Sequence, residues 1–246
     1  MIVLLALWEA AARLGWVNTY ILPPFTTVAA RLWHELFFGR LGVQTLNSLW
    51  VVLQGFGISF ALAVVITALC AASRSIESLF NTLSTILNPL PAVAIMPLII
   101  MWFGIDVTAM FIIIIHGVLW TLIRHLLDGL RAIPAAQLEF GRNIGLSPFR
   151  MFSGIIVFAL MPELLAGLRT GWGRAWRALI SAEMVFGMIG TLGGLGYYIY
   201  MGRAYARISD VLAGIIIIAV IGIAAESFVF GGIERATTRK WGMTRE

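Results

Sequence analysis

The apolar stretch at residues 151–187 is long enough to cross a membrane, yet it carries charged side chains, namely Glu163, Arg169, Arg174, Arg177 and Glu183. Charges at membrane depth are costly, so we expect them to face the interior of a helix bundle or water. At about 100° per residue, one helix face holds Arg169, Trp172, Trp176 and Glu183. A cation, two indoles and a carboxylate on one face predict a translocation pathway for a small anion or an aromatic acid. The alternative is that these charges only pair between packed helices.

A cluster of glycines follows this stretch: Gly187, Gly190, Gly193, Gly194 and Gly196. Such a density allows a sharp turn and a close approach of the backbone to its neighbours. One hypothesis is a hinge or gate at Gly193 and Gly194, next to the external mouth of a pathway. Ordinary turn chemistry is the alternative.

The residue types give little support for a metal site, for cysteine chemistry or for ATP hydrolysis by this chain. The histidines, His34, His116 and His125, show no paired spacing, so we expect satisfied histidines and no metal site. Cys70 lies in an apolar run, which predicts a packing role. Lys240 is the only lysine and no Gly-Lys-Ser/Thr loop exists, so the chain is predicted not to be an enzyme and to need a partner for any ATP-driven work.

The composition predicts an all-α, polytopic membrane protein. Of its 246 residues, 60% are hydrophobic and 12% are charged, and the mean hydropathy is +0.94. No gap large enough for a soluble domain separates the apolar runs, so residues 1–246 are predicted to form a single domain. About six transmembrane helices are expected, at residues 1–17, 44–73, 79–104, 107–123, 151–187 and 210–232.

The segments between these runs carry further predictions. The third run is interrupted by Asn88-Pro89-Leu90-Pro91, which predicts a kinked helix whose freed carbonyls are satisfied by neighbours inside the bundle. Residues 27–38 read as an amphipathic helix, residues 74–77 as a tight polar turn, and residues 197–207 as a bent or re-entrant connection.

Residues 133–150 form a polar island between two apolar runs. Pro134 suits a first helical position, Gly145 a left-handed cap, and Pro148 prevents continuation, so a helix of about ten residues is predicted. Its two sides should differ: one side holds Leu138, Gly141 and Gly145, and the other holds Glu139, Arg142 and Asn143. An ordinary amphipathic loop helix at the membrane surface is the alternative interpretation.

The distribution of basic residues predicts the orientation. The segment 124–150 has four arginines, and the tail at residues 233–246 has Arg235, Arg239, Lys240 and Arg245. The loops on the other side hold Arg31, Arg40, Arg203 and Arg207. The positive-inside rule therefore predicts that the island and the C-terminus are cytoplasmic, and with six spans the N-terminus as well.

The island also resembles a known motif. The run Leu138-Glu139-Phe140-Gly141-Arg142-Asn143-Ile144-Gly145-Leu146-Ser147, followed by Pro162 and by Ala166-Gly167-Leu168-Arg169, resembles the EAA loop of ABC importer permeases. Phe140 replaces the usual first alanine, and Phe158 stands where many members have a proline. The chain is also similar to the nitrate/sulfonate/taurine group of these permeases, in which three short motifs recur at this place. They are Gly-Leu-Arg, Gly-Arg-Ala-Trp and Ala-Glu-Met, which end here at Arg169, Trp176 and Met184.

This resemblance implies a type I ABC importer permease fold and a location in the bacterial inner membrane. It implies a homodimer, two cytoplasmic ATPase subunits that hold ATP and Mg, and an external solute-binding protein, periplasmic or lipid-anchored. Alternating access would carry a nitrate-, sulfonate- or taurine-like solute. The predicted ATPase-coupling residues are Leu138, Glu139, Phe140, Gly141, Arg142, Gly145 and Ser147. An ion-coupled secondary transporter or channel remains the alternative, and a non-transporting membrane anchor is a third reading.

Overall fold

The computed structural model describes residues 2–189, 193–240 and 242. In that part of the chain the regular structure is twelve α-helices and two π-helical segments, Phe152–Ile156 and Ala225–Phe230. The α-helices, in chain order, are α1 (Ile2–Arg13), α2 (Phe25–Phe37), α3 (Leu41–Ala72), α4 (Arg74–Leu87), α5 (Ala92–Phe103), α6 (Val107–Ala132), α7 (Ala135–Asn143), α8 (Pro148–Met151), α9 (Val157–Phe186), α10 (Leu195–Ala204), α11 (Ile208–Ala224) and α12 (Gly231–Ala236).

Four continuous helical stretches are long and apolar enough to cross a membrane: Leu41–Ala72, Val107–Ala132, Pro148–Phe186 and Ile208–Ala236. A fifth span is possible from α4 and α5 together, which are bent by 102° at their junction. This agrees with the predicted polytopic all-α fold. The predicted span at residues 1–17 is not among these stretches, because α1 has 12 residues and a membrane crossing needs about 20.

The connecting segments follow the predictions in part. The amphipathic helix is confirmed as α2. Residues 195–204 form α10, a regular helix of 10 residues that is too short to cross a membrane, so a connection in place of a span is confirmed, while its predicted bent or re-entrant form stays a prediction. The predicted polar turn at residues 74–77 is wrong, because these residues form the first turn of α4. Only Ser73, which is in an extended conformation, separates α3 from α4.

The core lies where α3 and α9 pack against α6. Fully buried aliphatic side chains of α6, including Ile114 and Val118, fill this region. Glycines on the neighbouring helices allow the close packing. A Cβ atom added at Gly55 of α3 would lie 2.9 Å from Ile114, and one at Gly171 of α9 would lie 3.3 Å from Val118.

Ion pairs and hydrogen bonds define the two ends of the bundle. At one end, called the α7 end, Arg131 at the end of α6 contacts Glu77 of α4 at 2.6 Å. At the other, called the α10 end, Ser48 of α3 donates to Glu183 of α9 at 2.7 Å. Helices α3, α6, α9 and α11 run between these ends, so a residue's position along α9 indicates its depth in the bundle.

Candidate functional site

Helix α7 is held at both ends by the predicted residues. The prediction for Pro134 was off by one position: it is the N-cap residue, and the helix begins at Ala135. Gly145 adopts φ +71°, so the predicted left-handed cap is confirmed. Its N–H donates to the Arg142 carbonyl at 3.0 Å, and the Leu146 N–H donates to the Gly141 carbonyl at 3.0 Å.

The two sides of α7 differ in part as expected, since Gly141 is buried and Leu138 is half-buried, whereas Gly145 is exposed. Gly141 is buried, and a Cβ atom there would lie 2.7 Å from Met151 and 2.8 Å from Ile155. Glu139 and Arg142 are exposed on the opposite side. The glycine therefore packs α7 against the chain that leads into α9, while the charged side is open to a partner.

The other predicted coupling residues surround this exposed side. Phe140 is 63% exposed, and Leu138 is half-buried. Ser147 caps α8, its hydroxyl accepting from the Arg150 N–H at 3.4 Å. An open groove of about 1320 Å³ lies beside α7 and is lined by Phe140, Gly154 and Pro162. The role of these residues in coupling stays a prediction.

The predicted pathway face of α9 points toward other helices of the same chain. Arg169 contacts Glu226 at 2.9 Å and Glu234 at 2.8 Å. Trp176 is buried, and its indole N–H donates to the Ile218 carbonyl of α11 at 3.3 Å. Trp172 stacks parallel to Trp176, with ring centroids 6.3 Å apart. Such contacts are what we expect if the charges of α9 only pair between packed helices. A role of this face in translocation stays a prediction.

The substitution Arg169→Lys separates the two roles. We expect it to weaken the contacts with Glu226 and Glu234, because an ammonium group lacks the guanidinium fork. The loss of unfolding free energy should be about 1 kcal/mol or less, since these groups are partly exposed. We expect the KM for uptake to stay unchanged in reconstituted vesicles. Uptake abolished in an assembled, normally stable complex would instead support the pathway role.

Glu183 joins three helices at the α10 end. It is 3% exposed, and it accepts hydrogen bonds from the Ser48 hydroxyl at 2.7 Å and from the Gly196 N–H at 2.8 Å. The Ser48 oxygen also accepts from the Leu195 N–H at 2.8 Å. We call Glu183, Ser48 and the N–H groups of Leu195 and Gly196 the Glu183 network. It ties the start of α3 and the start of α10 to the end of α9.

The glycines permit this contact, so the predicted close approach is confirmed. A Cβ atom at Gly194 would overlap the Glu183 carboxylate, and one at Gly196 would overlap the Ile180 carbonyl oxygen. Gly193 accepts from the Asn47 side chain at 3.0 Å. Gly190 lies outside the described residues. The gate hypothesis for Gly193 and Gly194 stays a prediction.

The break between α4 and α5 is satisfied by side chains, as predicted. The Asn88 side-chain oxygen accepts from the Thr121 hydroxyl at 3.0 Å and from Arg174 at 2.9 Å, and its carbonyl also accepts from Arg174 at 3.2 Å. His116 lies 3.3 Å from the Leu90 carbonyl. Because Trp120 donates to the His116 Nδ1 atom, the Nε2 atom is assigned as the donor to Leu90.

A cavity of about 480 Å³ opens at this break. Its polar lining comes from Asn88 and from one face of α9, formed by Arg174, Arg177 and Ser181. The described residues that line it include no carboxylate. The predicted pathway did not include this face, although the spacing i, i+3, i+7 of these three residues could have indicated it.

A second histidine, His125, joins α6 to α9. His125 lies 3.0 Å from Glu163, so this carboxylate is directed toward α6 and not toward the cavity. Among the described residues, no group of three or more His, Cys, Asp or Glu side chains could hold a metal ion.

Comparison with known proteins identifies the family. Residues 63–236 match the family described as "Binding-protein-dependent transport system inner membrane component". The chain is similar to the putative aliphatic sulfonates transport permease protein SsuC of Bacillus subtilis, with 30% identity over 92% of this chain and 81% of the relative. It is also similar to the taurine transport system permease protein TauC of Escherichia coli, with 26% identity over 91% of this chain and 82% of the relative. The nitrate import permease protein NrtB of Synechocystis is 25% identical over 77% of this chain and 67% of the relative. The chain therefore belongs to the family of binding-protein-dependent inner membrane transport components and is a multi-pass permease subunit of an ABC importer.

Proposed function

We propose that two copies of this chain form the translocation pathway for a small anion and that two ATPase subunits dock on α7. The observation that carries the proposal is the two-sided structure of α7. Gly141 packs against Met151 and Ile155, whereas Glu139 and Arg142 are exposed. A short helix built in this way can transmit movement to α9 while its charged side pairs with a partner.

The α7 end is proposed to be cytoplasmic. Arg131, Arg142 and Arg150 lie at this end, together with Arg239 and Lys240, which follow α12. The excess of basic residues supports this orientation. An external solute-binding protein would then deliver the substrate at the α10 end.

The substrate is proposed to be a small solute with an acidic group. The relatives are named for aliphatic sulfonates, taurine, nitrate and, in Synechococcus elongatus, bicarbonate. The cavity at the helix break supports an anion, because Arg174 and Arg177 line it and no carboxylate does among the described residues. The described residues that line the cavity include no aromatic side chain, so the cavity favours an aliphatic acid over an aromatic one.

Transport would follow alternating access. ATP and Mg would bind in the partner ATPases, and this chain would hold no cofactor. Closure of the ATPases would draw the two α7 helices together and open the cavity toward the external side. ATP hydrolysis would restore the inward-facing state.

The substitution Glu139→Ala tests this proposal. The chain is co-expressed with its candidate ATPase and binding protein, and ATPase association and solute uptake are measured in proteoliposomes. We expect both to be lost together, because an exposed charge at the partner surface is removed while the fold is unaffected. Gln137→Ala is the matched control, since it shortens another exposed polar side chain of α7 without a change in charge.

Two outcomes would contradict the proposal. If Glu139→Ala behaves like the wild type, residues 133–150 are only a loop at the membrane surface. If the chain takes up solute without any ATPase, the ion-coupled transporter or channel is the better reading. Proton-coupled uptake without an ATPase would directly favour the ion-coupled transporter.

A further inference from the structure

Two arginines of the cavity lie at an unusual place for positive charge. Arg174 and Arg177 are well inside α9, about 14–18 Å from its end at Phe186. None of the ion pairs formed by the described residues includes either arginine. A charge at this depth is costly unless water or an opposite charge compensates it. The cavity is therefore a place where an anion would lower the free energy of the protein.

Arg174 and Arg177 differ in how the surrounding residues hold their side chains. Arg174 is half-buried, and one terminal nitrogen is held by the side-chain and backbone oxygens of Asn88. A guanidinium group has five N–H donors, so most of those on Arg174 remain for a ligand. Arg177 is exposed to the cavity and makes no hydrogen bond or ion pair with the described residues, and its guanidinium lies beside Gly173.

The amino end of α5 adds to the positive potential. This helix has 12 residues and begins at Ala92, directly after Pro91 and at the edge of the cavity. The first N–H groups of a helix have no partner within it, and the helix dipole favours an anion there. The chain bends by 102° between α4 and α5, and the start of α5 lines the cavity together with Arg174 and Arg177 of α9.

We propose that Arg174, Arg177, Ser181 and the amino end of α5 bind the oxyanion group of the transported solute. Asn88 orients Arg174 for this contact. Leu90, Val93 and Ala178 supply apolar surface next to the cations. A volume of about 480 Å³ exceeds the need of a single inorganic oxyanion. The favoured ligand class is an organic acid with one sulfonate or carboxylate group and a short aliphatic tail. This inference rests on the proposed transport function.

The site can be tested by ligand binding to the permease–ATPase complex in detergent, without the solute-binding protein. Ethanesulfonate is the probe, nitrate is the test for an inorganic anion, and ethyl methyl sulfone is the uncharged analogue. We expect ethanesulfonate to raise the thermal unfolding temperature of the wild type and ethyl methyl sulfone to have no effect. Arg177→Gln should weaken the apparent affinity about 10- to 100-fold, since one charge-assisted contact is lost.

Arg177 is chosen because its removal breaks no contact within the described chain. Arg177→Lys keeps the charge and should lose less affinity than Arg177→Gln. Arg203→Gln is the matched control, because Arg203 is an exposed arginine at the α10 end and its loss should leave the affinity unchanged. ATPase association should be normal in all three variants, so a failure of this inference is distinguishable from a failure of the transport proposal.

Two results would overturn the site. One is wild-type affinity in Arg177→Gln, and the other is a wild type that responds to neither anion. In the second case, native gels of Arg177→Gln would show whether the permease dimer is also lost. Its loss would mean that a carboxylate of the second copy occupies the cavity. Tighter binding of nitrate than of ethanesulfonate would contradict the proposed aliphatic tail.

Discussion

Replacement of Glu183 with alanine is expected to destabilise the folded permease by about 2–5 kcal/mol. The substitution leaves the Ser48 hydroxyl and the Gly196 N–H without their acceptor in a region that water does not reach. It also removes the contact that joins α3, α9 and α10. Thermal unfolding of the purified permease–ATPase complex should therefore begin at a clearly lower temperature, with poor recovery from the membrane.

Glu163→Ala is the control for this experiment. Glu163 lies on the same helix, but its side chain is 44% exposed and its partner is a histidine. A pair of this kind contributes about 1 kcal/mol or less. Equal losses of stability in the two variants would show that the Glu183 network has no special role in the fold.

Replacement of Gly196 with alanine is expected to have an effect of similar size. The new Cβ atom would overlap the Ile180 carbonyl oxygen, and main-chain atoms inside a helix cannot move aside cheaply. Overpacking of this kind costs about 1–3 kcal/mol or more. Gly57→Ala is the matched control, because nothing lies within 4 Å of a Cβ atom there and alanine favours the helix.

The same assay decides the gate hypothesis. Alanine at Gly194 would displace the Glu183 carboxylate, so we expect stability and uptake to fall together. Loss of uptake at an unchanged unfolding temperature, in Gly193→Ala or Gly194→Ala, would favour a gate. Normal uptake at normal expression would exclude it.

Local signals explain what could be predicted from the sequence. Pro134, Gly145 and Pro148 delimit α7 because each acts on its own backbone, and the glycine indeed has a positive φ. Pro89 and Pro91 likewise predict the interruption between α4 and α5. The family motif adds the function, since it carries information that the physics of one chain does not contain.

Long-range contacts explain what could not be predicted. The periodicity of α9 correctly groups Arg169, Trp176 and Glu183 on one face, but it does not show what that face contacts. Glu183 meets Ser48 across a separation of 135 residues, and Trp176 meets Ile218. The spacing of Arg174, Arg177 and Ser181 indicates a shared helix face, but only the fold shows that the described residues around Arg177 in the cavity include no carboxylate.

Helix α9 joins the α7 end, the cavity and the Glu183 network in one continuous helix. Gly141 of α7 packs on residues just before it, Arg177 lies about two thirds of the way along it, and Glu183 is in its last turn. With 30 residues, α9 is about 45 Å long, so a tilt of about 10° around its midpoint would move each end by about 4 Å in opposite directions. A tilt of α9 would therefore couple movements at the two ends of the bundle. A pull on α7 that narrows one mouth of the pathway would widen the other by the same movement. Arg177, about 8 Å from the midpoint, would move by only about 1.4 Å.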